Sequence, residues 1–66
     1  MVRILLKSVR ARQMISVRRL AKLSGISKSE ICRIEGGEIM PRIDTLCNLA
    51  EALGVKPEEL YEIEKL

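Results

Sequence analysis

The sequence contains no histidine, tryptophan or phenylalanine, and Tyr61 is its only aromatic residue. Without histidine, Ser-His-Asp triads and His-containing zinc sites are excluded. The two cysteines, Cys32 and Cys47, form no CxxC motif, so their spacing predicts neither a structural zinc site nor a thioredoxin-like pair. We therefore predict a protein that is not an enzyme and that takes no metal, cofactor or small-molecule substrate.

Long apolar runs are also missing. No stretch approaches the ~20 residues that a membrane helix needs, and the arginine-interrupted residues 1–6 are too short for the apolar part of a signal peptide. We expect a cytoplasmic protein with no membrane partner and two free thiols. With 66 residues, of which 47% are hydrophobic, the chain suffices for one small globular domain, assigned to residues 1–66.

Charge is unevenly distributed along the chain, although the net charge is only +3. Residues 1–34 carry nine basic side chains against one glutamate, a balance of +8, whereas residues 35–66 carry three basic against eight acidic side chains, a balance of −5. This asymmetry predicts one face that binds a polyanion and another that turns away from it. An ordinary solvated surface is the alternative on charge alone.

Apolar residues recur at spacings of three and four, which predicts an all-α chain. The fourth helix is expected to be a central packing element because it has a broad apolar band, and Cys47 in that band is expected to lie in the core. The band consists of Ile43, Leu46, Cys47, Leu49, Ala50 and Leu53. Five short helices fit the periodicity, over about residues 4–13, 17–24, 28–35, 43–53 and 57–61.

Serine and glycine mark the ends of the two middle helices. Ser16 is predicted to cap the first of them, and Gly25 to end it in the left-handed conformation that residues with a Cβ resist. Ser27 and Glu30 form an S-x-x-E capping box that begins the second.

The turn between these helices is only a few residues long. Two helices cross closely at such a turn only if the first has a small residue where they touch and the turn tolerates unusual dihedral angles, and Ala21 and Gly25 meet these two needs. We therefore predict a helix-turn-helix over residues 17–35, with a plain helical hairpin in a bundle as the alternative.

The second helix of this pair has two distinct faces when projected at about 100° per residue. Ile31 and Ile34 point inward together. The opposite face has small residues and two cations, which suits a helix entering a DNA major groove, because phosphates flank the groove and base edges present acceptors. Its residues are Lys28, at one margin, and Ser29, Cys32, Arg33 and Gly36.

Short sequence motifs that match a single protein family are spread over nearly the whole chain. They are Ile15-Ser16 through Leu20-Ala21, Ser24-Gly25-Ile26-Ser27-Lys28-Ser29, Arg33-Ile34-Glu35-Gly36-Gly37, Pro41, and Leu49-Ala50-Glu51-Ala52-Leu53-Gly54-Val55. Together they resemble the Cro/phage-repressor (XRE-type) helix-turn-helix family of DNA-binding regulators. The resemblance implies a compact five-helix, lambda-repressor-like domain. It also implies a nucleoid-associated transcriptional regulator, expected to be a repressor, that binds double-stranded DNA as a homodimer on an inverted-repeat operator.

The resemblance also implies roles for individual residues. Base-contacting and groove-edge positions correspond to Ser27, Lys28, Ser29 and Arg33. Independently of the resemblance, the outward position of Cys32 lets it touch a thymine methyl. Positions that commonly touch phosphate correspond to Ser16, Val17 and Arg42. The family usually has Gln in place of Val17 and a Ser or Thr cap in place of Arg42. We therefore expect phosphate binding to depend more on Arg18, Arg19, Arg42 and backbone amides.

Arg10 and Glu35 match family positions that often form an ion pair between the first helix and the end of the third. We expect this pair to align the recognition helix. Two independently solvated charges are the alternative, and an exposed pair would contribute only ~0.2–1 kcal/mol.

The outward side chains of the second helix also have simpler explanations than contact with a base. Arg33 is the first choice for direct readout because its guanidinium can take both O6 and N7 of a guanine, whereas a solvated charge is the alternative for Arg33 and Lys28. Lys28 could also lie over a phosphate. Cys32 could be an oxidisable switch or a small residue that fills space.

The C-terminal residues are predicted to form a dimer interface. Useful specificity requires two recognition helices about 34 Å apart, and the end of the chain has apolar groups without an obvious place in a five-helix core. These are Leu60, Tyr61, Ile63 and Leu66. Residues 2–4 and 62–65 are also short and apolar enough to pair as two small strands, with a frayed tail as the alternative.

Two other classes of function stay open. The first is a protein-interaction module, such as an antitoxin or adaptor, that binds a partner through the apolar C-terminal surface. The second is a redox enzyme that uses Cys32 and Cys47.

Overall fold

The computed structural model describes residues 1–65, and Leu66 lies outside the described residues. Short helices form most of the chain, and a small two-stranded sheet joins its two ends. In chain order the elements are β1 (Val2–Ile4), α1 (Leu6–Arg12), α2 (Val17–Ser24), α3 (Lys28–Glu35), α4 (Ile43–Leu53), a 3₁₀ helix (Pro57–Leu60) and β2 (Tyr61–Ile63). No helix within residues 1–65 is long and apolar enough to cross a membrane.

The helices α2, α3 and α4 have the predicted bounds, whereas the outer two helices differ. The predicted helix over 4–13 is shorter, because Ile4 is in β1 and the Leu5 amide donates to the Leu60 carbonyl at 2.7 Å. The predicted fifth helix is a single 3₁₀ turn, because Tyr61 takes an extended conformation (φ −150°) and enters β2. The chain therefore has four α-helices and one 3₁₀ turn where five helices were predicted.

The predicted helix ends in the middle of the chain are confirmed, although only the Ser27 half of the predicted capping box forms among residues 1–65. Ser16 Oγ accepts a hydrogen bond from the Arg19 amide at 3.0 Å, and Ser27 Oγ accepts one from the Glu30 amide at 3.1 Å. Each bond satisfies an amide that has no acceptor within its own helix. Gly25 ends α2 at φ 76°, in the left-handed conformation that was predicted.

The two strands confirm the predicted pairing of the chain ends, with the second strand at Tyr61–Ile63 where 62–65 was predicted. They are antiparallel, with Val2 opposite Ile63, Arg3 opposite Glu62 and Ile4 opposite Tyr61. Because side chains alternate across a sheet, Val2, Ile4, Tyr61 and Ile63 share one face. Arg3 and Glu62 are on the other face, where their side chains form a salt bridge at 2.7 Å.

The core is aliphatic and lies between the helices and the 3₁₀ turn. Its fully buried large side chains are Leu6, Leu20, Ile31, Ile34, Leu49 and Leu60. The placement of Leu60 corrects the prediction that it lacks a place in the core. Its side chain is 0% exposed, because the 3₁₀ turn packs against α4, so it is not part of an exposed dimer surface.

The prediction that Cys47 is a core residue is also wrong, because its side chain is exposed. The buried stripe of α4 contains Leu46, Leu49, Ala50 and Leu53, which recur at spacings of three and four. Cys47 is turned about 100° from Leu46 and about 60° from Ala50, and therefore lies beyond the edge of that stripe. It is one turn from Ile43, which is 76% exposed.

Candidate nucleic-acid interface

The turn between α2 and α3 sets the position of α3. The Gly25 amide donates to the Ala21 carbonyl at 3.0 Å, and the Ile26 amide donates to Ser24 Oγ at 3.1 Å. Ala21 and Ile26 pack against the core. These contacts restrict the conformation of the turn and hold the two helices together at their junction.

The outward face of α3 is exposed as predicted. Ile31 and Ile34 are buried, which anchors the inner face of the helix. The exposed side chains offer hydroxyl, thiol, ammonium and guanidinium groups. They are Ser27, Lys28, Ser29, Cys32 and Arg33, with Ser27 at the cap. Within residues 1–65 nothing covers this face, although contact with a base stays a prediction.

A cleft of about 380 Å³ lies between the amino ends of α2 and α3, lined by Ser16, Val17, Arg18 and Lys28. The structure thus brings together residues predicted to touch phosphate and a residue predicted to lie at the edge of the groove. The Val17 side chain is half-buried against the core, so its backbone amide is the group that it can offer to an anion. Arg18 and Arg19 are exposed in the same first turn of α2.

Arg42 is the residue immediately before α4, and its side chain is bound to Asp44, a partner that the sequence reasoning missed. Its Nε donates to Asp44 Oδ1 at 3.1 Å and its Nη2 donates to Asp44 Oδ2 at 2.6 Å. Hydrogen bonding to Asp44 raises the pKa of Arg42, and Glu30 on α3 adds a smaller attraction. The same hydrogen bonds lower the pKa of Asp44. The i, i+2 spacing of opposite charges at a helix start is the signal that could have indicated this pair.

The predicted ion pair between Arg10 and Glu35 is present. Arg10 Nε donates to Glu35 Oε2 at 2.7 Å, and Arg10 Nη2 donates to Glu35 Oε1 at 3.0 Å. The side chains are only 15% and 8% exposed, so they are neither solvated independently nor an exposed pair. Hydrogen bonding to Glu35 raises the pKa of Arg10, and burial opposes this shift.

The predicted dimer surface is only partly exposed. Ile63 is 70% exposed and Tyr61 is half-buried, whereas Leu60 is in the core and Leu66 lies outside the described residues. Further exposed apolar side chains extend this surface. Sequence reasoning missed Met40 among them, and it was wrong to place Ile43 in the core-facing band of the fourth helix, because Ile43 is 76% exposed. A groove of about 260 Å³ runs between Val2, Ile4, Met40, Pro41, Ile43, Leu46 and Tyr61.

The arrangement of α2, the short turn and α3 agrees with comparison to known proteins. The family model HTH_3, described as helix-turn-helix, matches residues 6–60. The chain belongs to the HTH_3 helix-turn-helix family. The resemblance to Cro/phage-repressor (XRE-type) regulators is thereby confirmed, and the family is one of DNA-binding transcriptional regulators.

Relatives of this helix-turn-helix chain include two curated regulators. It is 38% identical over 56 residues to the HTH-type transcriptional regulator PuuR of Escherichia coli, a match that covers 85% of the chain and 30% of PuuR. An uncharacterised HTH-type transcriptional regulator of Mycobacterium tuberculosis is also 38% identical over 56 residues, with 40% of its length covered. The chain thus spans less than half the length of the curated relatives that it matches.

Two solved structures share the fold of this helix-turn-helix chain. The restriction-modification controller protein C.AhdI from Aeromonas hydrophila is 31% identical, with a TM-score of 0.79 over 82% of both chains. An HTH_3 family transcriptional regulator from Vibrio cholerae is 36% identical, with a TM-score of 0.77 over 79% of this chain and 29% of that one.

Proposed function

We propose that this protein binds double-stranded DNA sequence-specifically, with the exposed face of α3 in the major groove. The observation that carries this proposal is the division of α3 into a buried face, with Ile31 and Ile34, and an exposed face that carries Lys28 and Arg33. A helix anchored on one side and rich in donors on the other can enter the groove and meet acceptors on base edges.

Phosphate contacts would flank the recognition helix. The cleft between the amino ends of α2 and α3 is lined by Arg18 and Lys28 together with Ser16 and Val17, and the Val17 backbone amide can donate to a phosphate. Arg19 and Arg42 are exposed and are proposed as further phosphate contacts. Such contacts fix the orientation of the protein on the duplex, whereas Ser27, Ser29, Cys32 and Arg33 are assigned to the base edges.

The protein is further proposed to act as a homodimer on an inverted repeat and to repress transcription by occupying its operator, in the cytoplasm and without catalysis. One domain of this size contacts few base pairs, and a second recognition helix about 34 Å away would supply the missing specificity. Ile63 and Tyr61 are the described residues of the predicted dimer surface that remain available to a partner.

Selection of bound sequences from a randomised duplex pool tests the proposal. We expect an enriched inverted repeat whose half-sites are separated by about one helical turn. Enrichment of a single half-site would support DNA reading and contradict the dimer. Recovery of no sequence preference would contradict the proposal as a whole.

A protein-interaction module is the second candidate, because the apolar groove beside Met40 and Ile43 is exposed. Salt distinguishes the two functions. Groove binding releases counterions, so the DNA affinity of a reader falls steeply as salt increases, whereas an adaptor has no such requirement. A duplex affinity that is absent at low salt would favour the adaptor.

A further inference from the structure

The first turn of α4 has an unusual cap. Arg42 occupies the N-cap position, and its side chain makes no capping hydrogen bond. Asp44, two residues later, accepts a hydrogen bond from the Thr45 amide at 2.9 Å through Oδ1. The carboxylate of Asp44 is therefore held at the start of the helix by a backbone contact.

The same carboxylate binds the guanidinium of Arg42 through both of its oxygens. The Nε–Oδ1 distance is 3.1 Å and the Nη2–Oδ2 distance is 2.6 Å. This two-point geometry is the one in which a guanidinium also binds a phosphate. The pair is open to solvent, with side-chain exposures of 80% for Arg42 and 63% for Asp44, so an external anion can reach the guanidinium.

We infer that Asp44 competes with DNA phosphate for the guanidinium of Arg42 and thereby limits the affinity of the protein for duplex DNA. This inference rests on the proposed function, in which Arg42 contacts phosphate. In the free protein the positive charge of Arg42 is neutralised by Asp44. A phosphate that takes the Nε–Nη2 edge must displace the carboxylate, and the displaced negative charge then lies close to the DNA.

Asp44→Asn gives a direct test, because asparagine has a similar size and its Oδ1 can still accept from the Thr45 amide. Arg42 then becomes free to engage phosphate. We expect the affinity for operator duplex to increase several-fold at low salt, and the slope of log K against log salt to steepen by about 0.9 for each Arg42 engaged.

Arg42→Ala and the double variant separate competition from simple loss of a negative charge. If Asp44 occupies Arg42, then Arg42→Ala weakens binding little in the wild-type background and much more in the Asp44→Asn background. If Asp44→Asn increases the affinity equally in the wild-type and Arg42→Ala backgrounds, the inference is overturned. The increase would then come from removing the repulsion between Asp44 and DNA. Glu38→Gln is the matched control, since Glu38 is exposed and joins none of the salt bridges within residues 1–65.

Failure of the inference is distinguishable from failure of the proposed function. If the wild-type protein, Asp44→Asn and Asp44→Ser bind duplex DNA with equal affinity and equal salt dependence, the protein binds DNA but Asp44 does not compete with phosphate for Arg42. If none of them binds, both are wrong. Asp44→Ser removes the same charge with a second polar side chain that can accept a hydrogen bond, so it guards against an artefact of one substitution and is expected to reproduce the tighter binding of Asp44→Asn.

Discussion

Arg10 and Glu35 are 25 positions apart in the sequence and meet through two hydrogen bonds of 2.7 and 3.0 Å. The remaining terminal nitrogen of Arg10, Nη1, donates to the Ile15 carbonyl at 2.9 Å. One guanidinium therefore links α1, the segment before α2 and the last residue of α3. Because α3 carries the proposed recognition face, this link bears on the orientation of that face as well as on stability.

Arg10→Met is expected to lower the free energy of unfolding by about 3 kcal/mol, because it leaves the largely buried carboxylate of Glu35 without a partner. Arg3→Met is the matched control. Arg3 pairs with Glu62 on an exposed surface, where such a pair contributes ~0.2–1 kcal/mol. Urea unfolding of both variants measures the difference. An unchanged free energy of unfolding and an unchanged DNA affinity in Arg10→Met would show that the pair neither stabilises the fold nor aligns α3.

Arg33→Ala is expected to remove the preference for one base at one operator position, at a cost of ~1–3 kcal/mol on the preferred site. The reason is that a guanidinium can bond O6 and N7 of a guanine at once, whereas alanine makes no polar contact. Binding to a panel of operators with single substitutions measures the effect. A uniform loss across all of the operators would instead assign Arg33 to phosphate.

Leu60→Ala is expected to destabilise the protein by about 2–5 kcal/mol, because it leaves a cavity in an aliphatic core where Leu60 is 0% exposed. The loss should be the same at every protein concentration in urea unfolding, since Leu60 packs within one chain. Ile63→Ala at an exposed position should change the free energy of unfolding by about 0.5 kcal/mol or less in dilute samples. If the decrease in the free energy of unfolding of Leu60→Ala depends on protein concentration, Leu60 lies in a dimer interface.

Gly25→Ala is expected to cost about 1–2 kcal/mol, and the cost should come from the backbone alone. Gly25 has φ 76°, and a Cβ added there would meet no atom within 4 Å. Gly25→Asn should cost less, because asparagine visits the left-handed conformation more readily. Thermal unfolding of the two variants measures the order. Equal losses would indicate that a steric contact, and not the left-handed conformation, determines the residue at this position.

Both thiols are expected to react rapidly with a maleimide in the folded protein, because Cys32 and Cys47 are exposed. Only the label on Cys32 should block DNA binding, since it projects from the proposed recognition face. Cys32→Ser and Cys47→Ser, each labelled at the remaining thiol, allow the comparison by a gel-shift assay. The unlabelled double Ser variant should keep most of the DNA affinity, because Cys32 is only one of several side chains assigned to the base edges and serine is of similar size. A loss of binding in that variant would support a functional thiol.

The middle of the chain could be predicted closely because its signals are local. Ser16, Gly25 and Ser27 determine helix ends through bonds and dihedral angles that involve only a few neighbouring residues. The faces of α3 follow in the same way from its helical period, which places Ile31 and Ile34 together. The positions of residues around a single helix follow directly from their spacing in the sequence.

The errors arose where residues distant in the sequence meet. Leu60 was assigned to a surface because nothing in its own segment indicates that α4 covers it. Cys47 was assigned to the core because an apolar band has no sharp edge in the sequence, and only packing shows that the buried stripe stops short of Cys47. Asp44 was overlooked because the direction of its side chain depends on the backbone at the start of α4.

Sequence alone was therefore sufficient for the helical class, the helix-turn-helix and its exposed cationic face, since periodicity, capping and turn chemistry act over a few residues. Packing across the chain settled the burial of Leu60, the exposure of Cys47 and the geometry of the Arg10–Glu35 pair. These depend on which surfaces exclude water from one another, and that exclusion exists only once distant segments have come together.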